Sequence, residues 1–518
     1  MKARVNANAS FLKDRPVIAE ATPAVTRRAR IWAALQRSRL LQFLCLLGVA
    51  LLIRGATFGE WNYDTDEQFY ALVGRRMLDG ATLYVDIWDR KPPALYLVYA
   101  AIALVSSSVL AFQIAATLCA VVGAYGIARI SRRFVRPAAS LMAGIAYLAL
   151  LGRFGGASGQ APVWYTTLMI FAAGAIVSRI DLLRHGRIDA RLVGGMAAAG
   201  LAVAFKQSAA IECAFFGAFL ALQLVLSRTG PLRMIAQVGF LAVVAMLPMA
   251  ATFAWYWHIG HLPELWQALV TSNFARLYEG PWGRVWRLSV LLGLLGMPIV
   301  FGALGWAALS RSERRDPRLI FLAAWAIVAV VSVAVFPNIF YHYAIPILPP
   351  LCVLCAVFFE RRSIGRIGFA ALLAVGLFYG NTLNLTTRLQ AHRAAPELVE
   401  YVRGETPGKR LLVWGIPNYL YVLTGAVPPS RLAFPPHLYE GAESGVSGID
   451  EVQELRRIIA SRPETIVVQD PIVARPINEA NVAQLGAYLK TCGKLRRFTI
   501  YDHNGPQGQD VYSRCGAN

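Results

Sequence analysis

Side chains able to do acid–base and phosphate chemistry are densest between Arg54 and Pro93. There Glu60, Trp61, Asn62, Tyr63, Asp64, Thr65, Asp66, Glu67, Gln68, Phe69 and Tyr70 are followed by Asp86, Ile87, Trp88, Asp89, Arg90, Lys91, Pro92 and Pro93. A carboxylate within hydrogen-bond reach of a hydroxyl can take its proton as the oxygen attacks an electrophile. Lysines and arginines can hold the charge of a departing phosphate. Carboxylates packed this closely beside apolar sequence carry a desolvation cost, so they need a solvated face, basic partners or a use. Composition alone also fits an ordinary solvated acidic loop.

The elements that must position this loop belong to a membrane protein. With 518 residues, 56% hydrophobic and 16% charged, the chain is too apolar to be soluble at this length. Apolar segments of spanning character fall at 40–53, 109–130, 138–151, 164–183, 192–205, 209–226, 234–257, 288–309, 319–336, 343–359 and 367–379. The basic loops 27–39, 132–136, 184–191, 228–233, 311–318 and 361–366 are expected to face the cytoplasm. That topology explains the net charge of +21 better than nucleic acid does, because no basic stripe interleaved with aromatics lies on a soluble face. Residues 1–36 then form a cytoplasmic tail, and the first apolar run, lacking a small-residue cleavage site, is an uncleaved anchor. Segment 93–105 is apolar, yet a full crossing would put 132–136 on the wrong side. It is expected to lie in the outer interface or to enter only partly, unless a missed short span elsewhere restores parity.

Residues 381–518 contain no apolar run of spanning length and form a second domain outside the membrane. Strands are expected at 410–414 and 465–469, helices at 417–423, 451–461 and 481–490, and a hairpin from 494–501 and 510–513. Asp502, His503, Asn504, Gly505 and Pro506 form its turn-rich connection. Of seven cysteines, Cys45, Cys119, Cys213, Cys352 and Cys355 lie in apolar spans as core residues. Cys492 and Cys515 flank the hairpin, and both a disulfide and a pair of thiols stay open; a disulfide would contribute about 3 kcal/mol. No metal-ligand spacing stands out on the outer side, Cys352 and Cys355 inside an apolar span being a weak exception, and no cofactor is indicated, with a divalent metal left open.

The order Asp66, Glu67, then Tyr70, the amphipathic 71–78, Gly80, and Lys91, Pro92, Pro93 before an apolar run resembles the first outer loop of the GT-C superfamily. The branch is that of lipid A aminoarabinose transferase and the protein O-mannosyltransferases. The resemblance implies an α-helical polytopic GT-C-like membrane domain of about 11 to 13 transmembrane helices over 37–380, with the outer loop 55–92, and a small C-terminal extracytoplasmic α/β domain. It further implies a bacterial inner-membrane enzyme that moves a sugar from a polyprenyl-phosphate donor onto a lipid- or envelope-linked glycan. In that family the loop aspartate is the base and the lysine of the Lys-Pro element meets the donor phosphate. These roles pass to Asp66, with Glu67 beside it, and to Lys91. Arg90, Lys206 and His342 are further candidates for the phosphate, and Asp64, Tyr70, Arg75 and Tyr343 for substrate. Single displacement with Asp66 as base would invert the anomeric centre. The chain departs from the family at Phe69, where a basic residue is frequent, and at Gln160, where an acidic one is.

Weaker support comes from Lys206, Gln207 and Ser208 between two apolar runs, and from Tyr341, His342 and Tyr343 ahead of Pro346, Pro349 and Pro350. Each also fits snorkelling or an interfacial aromatic belt. Segment 258–287 carries Trp266, Asn273, Arg276, Tyr278, Trp282 and Trp286, and its Gly280–Pro281 break would suit a lid. Two other readings remain. A transporter or flippase of a lipid-linked precursor would use Asp66, Glu67 and Lys91 as gating charges, but no internal repeat is evident. A scaffold binding through the tail gives no reason for the charge density of the first loop.

Overall fold

The computed structural model describes residues 38–276, 280–336, 338–380, 382–415, 417–472, 476–503 and 505–515; the 1–36 tail, Tyr278 and Asn504 lie outside them. Among the described residues, seven helices are long and apolar enough to cross a membrane, or eight if a bent pair counts as one span. Shorter apolar helices add Pro137–Arg153, Ala190–Phe205 and residues within Arg362–Tyr379. The chain is a multi-pass membrane protein. Its apolar helices are buried along one face and leave leucine, valine and phenylalanine side chains such as Leu52, Leu118, Phe171 and Leu226 exposed on the other, as a lipid-facing bundle requires.

One expected span differs from the sequence reading. Residues 288–309 are not a single helix, because Pro281–Leu294 and Gly296–Ala308 meet at 64°. Gly293, Gly296 and Pro298 surround the break, where low helix propensity and a missing backbone N–H weaken the hydrogen-bond ladder.

The two ends of the bundle differ in character. At one end the basic connections meet: Arg136 pairs with Glu360 at 3.1 Å, Arg318 with Asp181 at 2.5 Å, and Arg179 with Asp189 at 2.5 Å. At the other end the first loop folds over the bundle. Gln113, early in helix Val109–Ser131, donates to Thr57 O and Glu60 O at 3.2 and 3.1 Å and accepts from Gly59 N at 2.8 Å. The helix Pro93–Val105 therefore begins and ends at the loop's own end. At 13 residues it spans about 20 Å, short of a hydrocarbon core.

After the last apolar helix, Leu385–Glu405 leads into a four-stranded sheet of β1 Leu411–Trp414, β2 Thr465–Asp470, β3 Lys494–Asp502 and β4 Gly505–Ser513. Its order is β1-β2-β4-β3, with β1 and β2 parallel and the other pairs antiparallel. Helices Glu451–Ala460 and Glu479–Leu489 pack on it, and Cys492 and Cys515 are disulfide-bonded. A small core of Leu412, Trp414, Leu455, Ile458 and Ile466 also takes in Trp88 from the first loop. The membrane domain thus inserts a side chain into the C-terminal domain beside the residues of interest.

Candidate active site

Helix Thr65–Leu78 starts where Asp64, in an extended conformation, accepts from the Asp66 N–H at 2.9 Å. An aspartate at this cap satisfies an otherwise orphaned donor, and the first turn places Asp66 and Glu67 about 100° apart around the axis. They consequently face different surroundings. The Asp66 carboxylate accepts from the Tyr70 hydroxyl at 3.2 Å, one turn along, and from Gln160 Nε2 at 3.1 Å; Gln160 Nε2 also lies 3.3 Å from Asp64. Burial opposes the Asp66 charge, but Lys91, the Gln160 hydrogen bond and Lys206 outweigh it and hold this carboxyl below its ordinary range. Glu67 is buried against Ser158 and the Gly159 N–H, and burial with the nearby Asp64 charge pushes it well above its ordinary value. An ionised acceptor and a carboxyl favouring its neutral form therefore occupy adjacent positions.

Lys91 arrives from the far end of the loop, and its position has identifiable causes. Trp88 is buried in the C-terminal core, its backbone N–H donates to Arg431 O at 2.8 Å, and its ring meets His437 edge-on at 4.7 Å. Tyr84, in a left-handed conformation, donates to Lys91 O at 2.8 Å. Pro93 opens the next helix, where its missing N–H costs nothing. Lys91 Nζ lies 3.1 Å from the buried Asp89, which also accepts from Tyr96 and from the Arg90 N–H, and 5.0 Å from the centre of the Tyr70 ring. The charges of Asp89 and Asp66 outweigh burial and raise the Lys91 pKa, so it stays cationic.

Lys206 closes helix Ala190–Phe205 in an extended conformation before Ala209–Leu226 begins. Its ammonium sits 4.1 Å from the centre of the Tyr343 ring, and among the described residues no carboxylate is within ion-pair distance. Burial, then the charge of Lys91, lower its pKa to about 7. Next to it, Gln207 Nε2 donates to Arg90 O at 2.9 Å and ties this break to the first loop. His342 packs edge-on to Tyr343 at 4.8 Å.

The structure therefore gathers Asp64, Asp66, Tyr70, Lys91, Lys206, His342 and Tyr343 at one end of the bundle. Arg90 stands at the rim with its guanidinium on Glu443. Arg75 is elsewhere: it is exposed, pairs with Asp79 at 3.4 Å and reaches Ser107. Phe69 is 1% exposed and packs 5.0 Å from the ring of Phe434 of the C-terminal domain, which explains an apolar residue there. Gln160 serves through its amide donors what an acid could not: it hydrogen-bonds an ionised carboxylate. The sequence placed Asp89 and Glu60 in the acidic loop without giving either a partner, and it did not point to Glu443 or to Arg388, which pairs with Glu60 at 2.5 Å. Asp89 sits in the same acidic loop and was legible there, whereas the other partners are separated by more than three hundred residues. Among the described residues no group of three or more His, Cys, Asp or Glu side chains is arranged to hold a metal ion.

In fold, this bundle of apolar helices with its C-terminal α/β domain is GT-C-like, as its likeness to solved structures shows. ArnT from Cupriavidus metallidurans in the apo state has a TM-score of 0.60 at 14% identity, covering 94% of this chain and 98% of that one. The Archaeoglobus fulgidus oligosaccharyltransferase AglB, in complex with an inhibitory peptide and a dolichol-phosphate, has a TM-score of 0.50 at 13% identity over 95% and 75%. The same enzyme tethered to an acceptor peptide gives 0.52 at 12% identity over 92% and 74%. No protein-family model and no curated protein sequence matches the chain.

Proposed function

We propose that the protein transfers a sugar from a polyprenyl-phosphate-linked donor to a lipid- or envelope-linked glycan at the outer face of a bacterial inner membrane, with inversion. The observation that carries this reading is Asp66, an ionised, partly buried carboxylate fixed by Tyr70 and Gln160 and attended by two lysines from separate segments. As the acceptor oxygen bonds to the anomeric carbon and the carbon–phosphate oxygen bond breaks, the hydroxyl proton passes to Asp66. The leaving phosphate needs no acid, and Lys91 and Lys206 stabilise its charge in a site of low dielectric.

A lipid donor is supported by two further facts. An apolar cavity of about 410 Å³, lined by Met196, Val203, Ala210, Cys213, Leu241 and Met249, has Val203 and Ala210 flanking the Lys206 break. A protein of similar fold has been solved with a dolichol-phosphate. The envelope chemistry is tested by mass spectrometry of lipids and glycans from cells with and without the gene. The expected result is loss of one sugar from an envelope component together with accumulation of a polyprenyl-phosphate sugar. Identical envelope profiles under conditions where the protein is made would remove this reading.

A further inference from the structure

Among the residues that tie the C-terminal domain to the first loop is Glu443. Its side chain is 3% exposed and meets three basic groups: the Arg90 guanidinium, Arg276 Nη2 at 2.6 Å and His437 Nδ1 at 3.7 Å. Each arginine comes from a different segment of the membrane domain. Arg90 adjoins Lys91 in sequence, and its carbonyl accepts from Gln207 next to Lys206. Arg276 ends the segment that follows helix Pro231–His258, lies 5.8 Å from the Phe340 ring, and is among the charges felt at Lys206. Arg276, Arg90 and Lys91 all lie within charge range of the Tyr343 phenol. The two arginines therefore bracket the same aromatic floor on which Lys206 rests.

A second contact shows that the segment is held from the same side. Gln267 Nε2 donates to Val446 O at 3.2 Å, three residues beyond Glu443. A carboxylate this deeply buried is costly unless fully paired, so the domain spends it where two guanidiniums converge. Planar guanidiniums are suited to phosphate oxygens as well as to carboxylates.

We propose that Glu443 is a positioning residue, through which the C-terminal domain fixes Arg90 and Arg276 as the outer wall of the pocket for the donor's phosphate. The inference rests on the glycosyl-transfer reading above. Glu443 touches neither sugar nor phosphate; it acts by setting where two arginines stand. The C-terminal domain is on this account a part of the active site.

The test uses the full-length protein in lipid nanodiscs, with polyprenyl phosphate as the binding probe and a polyprenyl-phosphate sugar for transfer. Glu443→Gln should raise the Kd for the probe and the donor KM by about 10-fold, with kcat changed less than about 3-fold, as expected for a weakened charge-assisted contact. Glu443→Asp should recover part of that loss. Glu443→Gln combined with Arg276→Gln should cost little more than either alone, because both break one unit. Lower thermal stability with unchanged Kd and KM would make Glu443 an interdomain tie only and overturn the proposal. Should the wild-type protein neither bind the probe nor transfer sugar, the glycosyl-transfer reading fails and this inference with it. Wild-type transfer with an indifferent Glu443→Gln variant sinks the inference alone.

Discussion

Two charged clusters lie a few residues apart in the first loop and are built on opposite principles. Around Glu60 a carboxylate and a guanidinium meet directly. Arg388 of helix Leu385–Glu405 pairs with Glu60 at 2.5 Å, donates to Asp502 O at 2.9 Å and covers the Tyr63 ring, with both partners almost wholly buried. Around Asp66 the charges do not close. Lys91 is shared between Asp89 and the field of Asp66, and Lys206 rests on an aromatic ring. A buried pair of opposite charges in direct contact ties two segments together, whereas charges gathered in a cleft without such a pairing are candidates for binding a ligand. The difference separates an ion pair of the domain interface from the cluster proposed to do the chemistry beside it.

Breaking the Glu60 pair should give the largest effect, and it should fall on stability. Arg388→Met leaves Glu60 buried without its cation and is expected to cost about 3–5 kcal/mol, with activity per folded molecule unchanged. The double variant Glu60→Gln with Arg388→Met should recover much of the loss. Thermal unfolding in detergent with parallel activity assays checks both, and equal stability of the single variant and wild type would contradict the assignment.

Breaking the open cluster should do the reverse. Lys91→Ala is expected to raise the donor KM by about 10- to 100-fold, the range for a lost contact to a charged group, while the unfolding temperature stays near that of wild type. If expression fell and KM did not move, Lys91 would be an anchor of the loop.

The smallest effect sharpens the comparison through pH. Lys206 is cationic below its pKa of about 7 and neutral above it, so a phosphate-binding role is present at low pH and lost as pH rises through that value. The kcat/KM for donor should therefore fall by up to tenfold per unit above pH about 7. Lys206→Arg, which stays charged, should flatten that limb. A wild-type profile without such a limb between about pH 6 and 9 would take Lys206 out of phosphate binding.

Much of this architecture was legible because membrane-spanning runs and strand-and-turn patterns are local. The hairpin at 494–513, the individual strands Leu411–Trp414 and Thr465–Asp470, and the long apolar helices follow from patterns over short windows, whereas the parallel pairing of those two strands does not. Helix Leu385–Glu405 was not read, although Ala391, Ala395, Leu398, Val399 and Val402 recur at helical spacing; Pro396 inside it and its charged remainder masked the pattern. Asp66 and Lys91 were singled out by the resemblance of the acidic loop, and the fold brings both within charge range of each other. Arg90 shows the limit. Its neighbours in sequence suggest phosphate, but its carboxylate partner lies in a Gly- and Ser-rich stretch more than three hundred residues away, and nothing local announces that pairing.

The most direct test of Asp66 as the base uses purified protein in liposomes with a polyprenyl-phosphate sugar and an envelope-lipid acceptor, following release of free polyprenyl phosphate. Wild type should release it together with glycosylated acceptor. Asp66→Asn should lower the rate by about 10²- to 10⁴-fold while still binding donor. Release by Asp66→Asn at the wild-type rate would contradict the account, as would wild-type protein that only moves donor between leaflets.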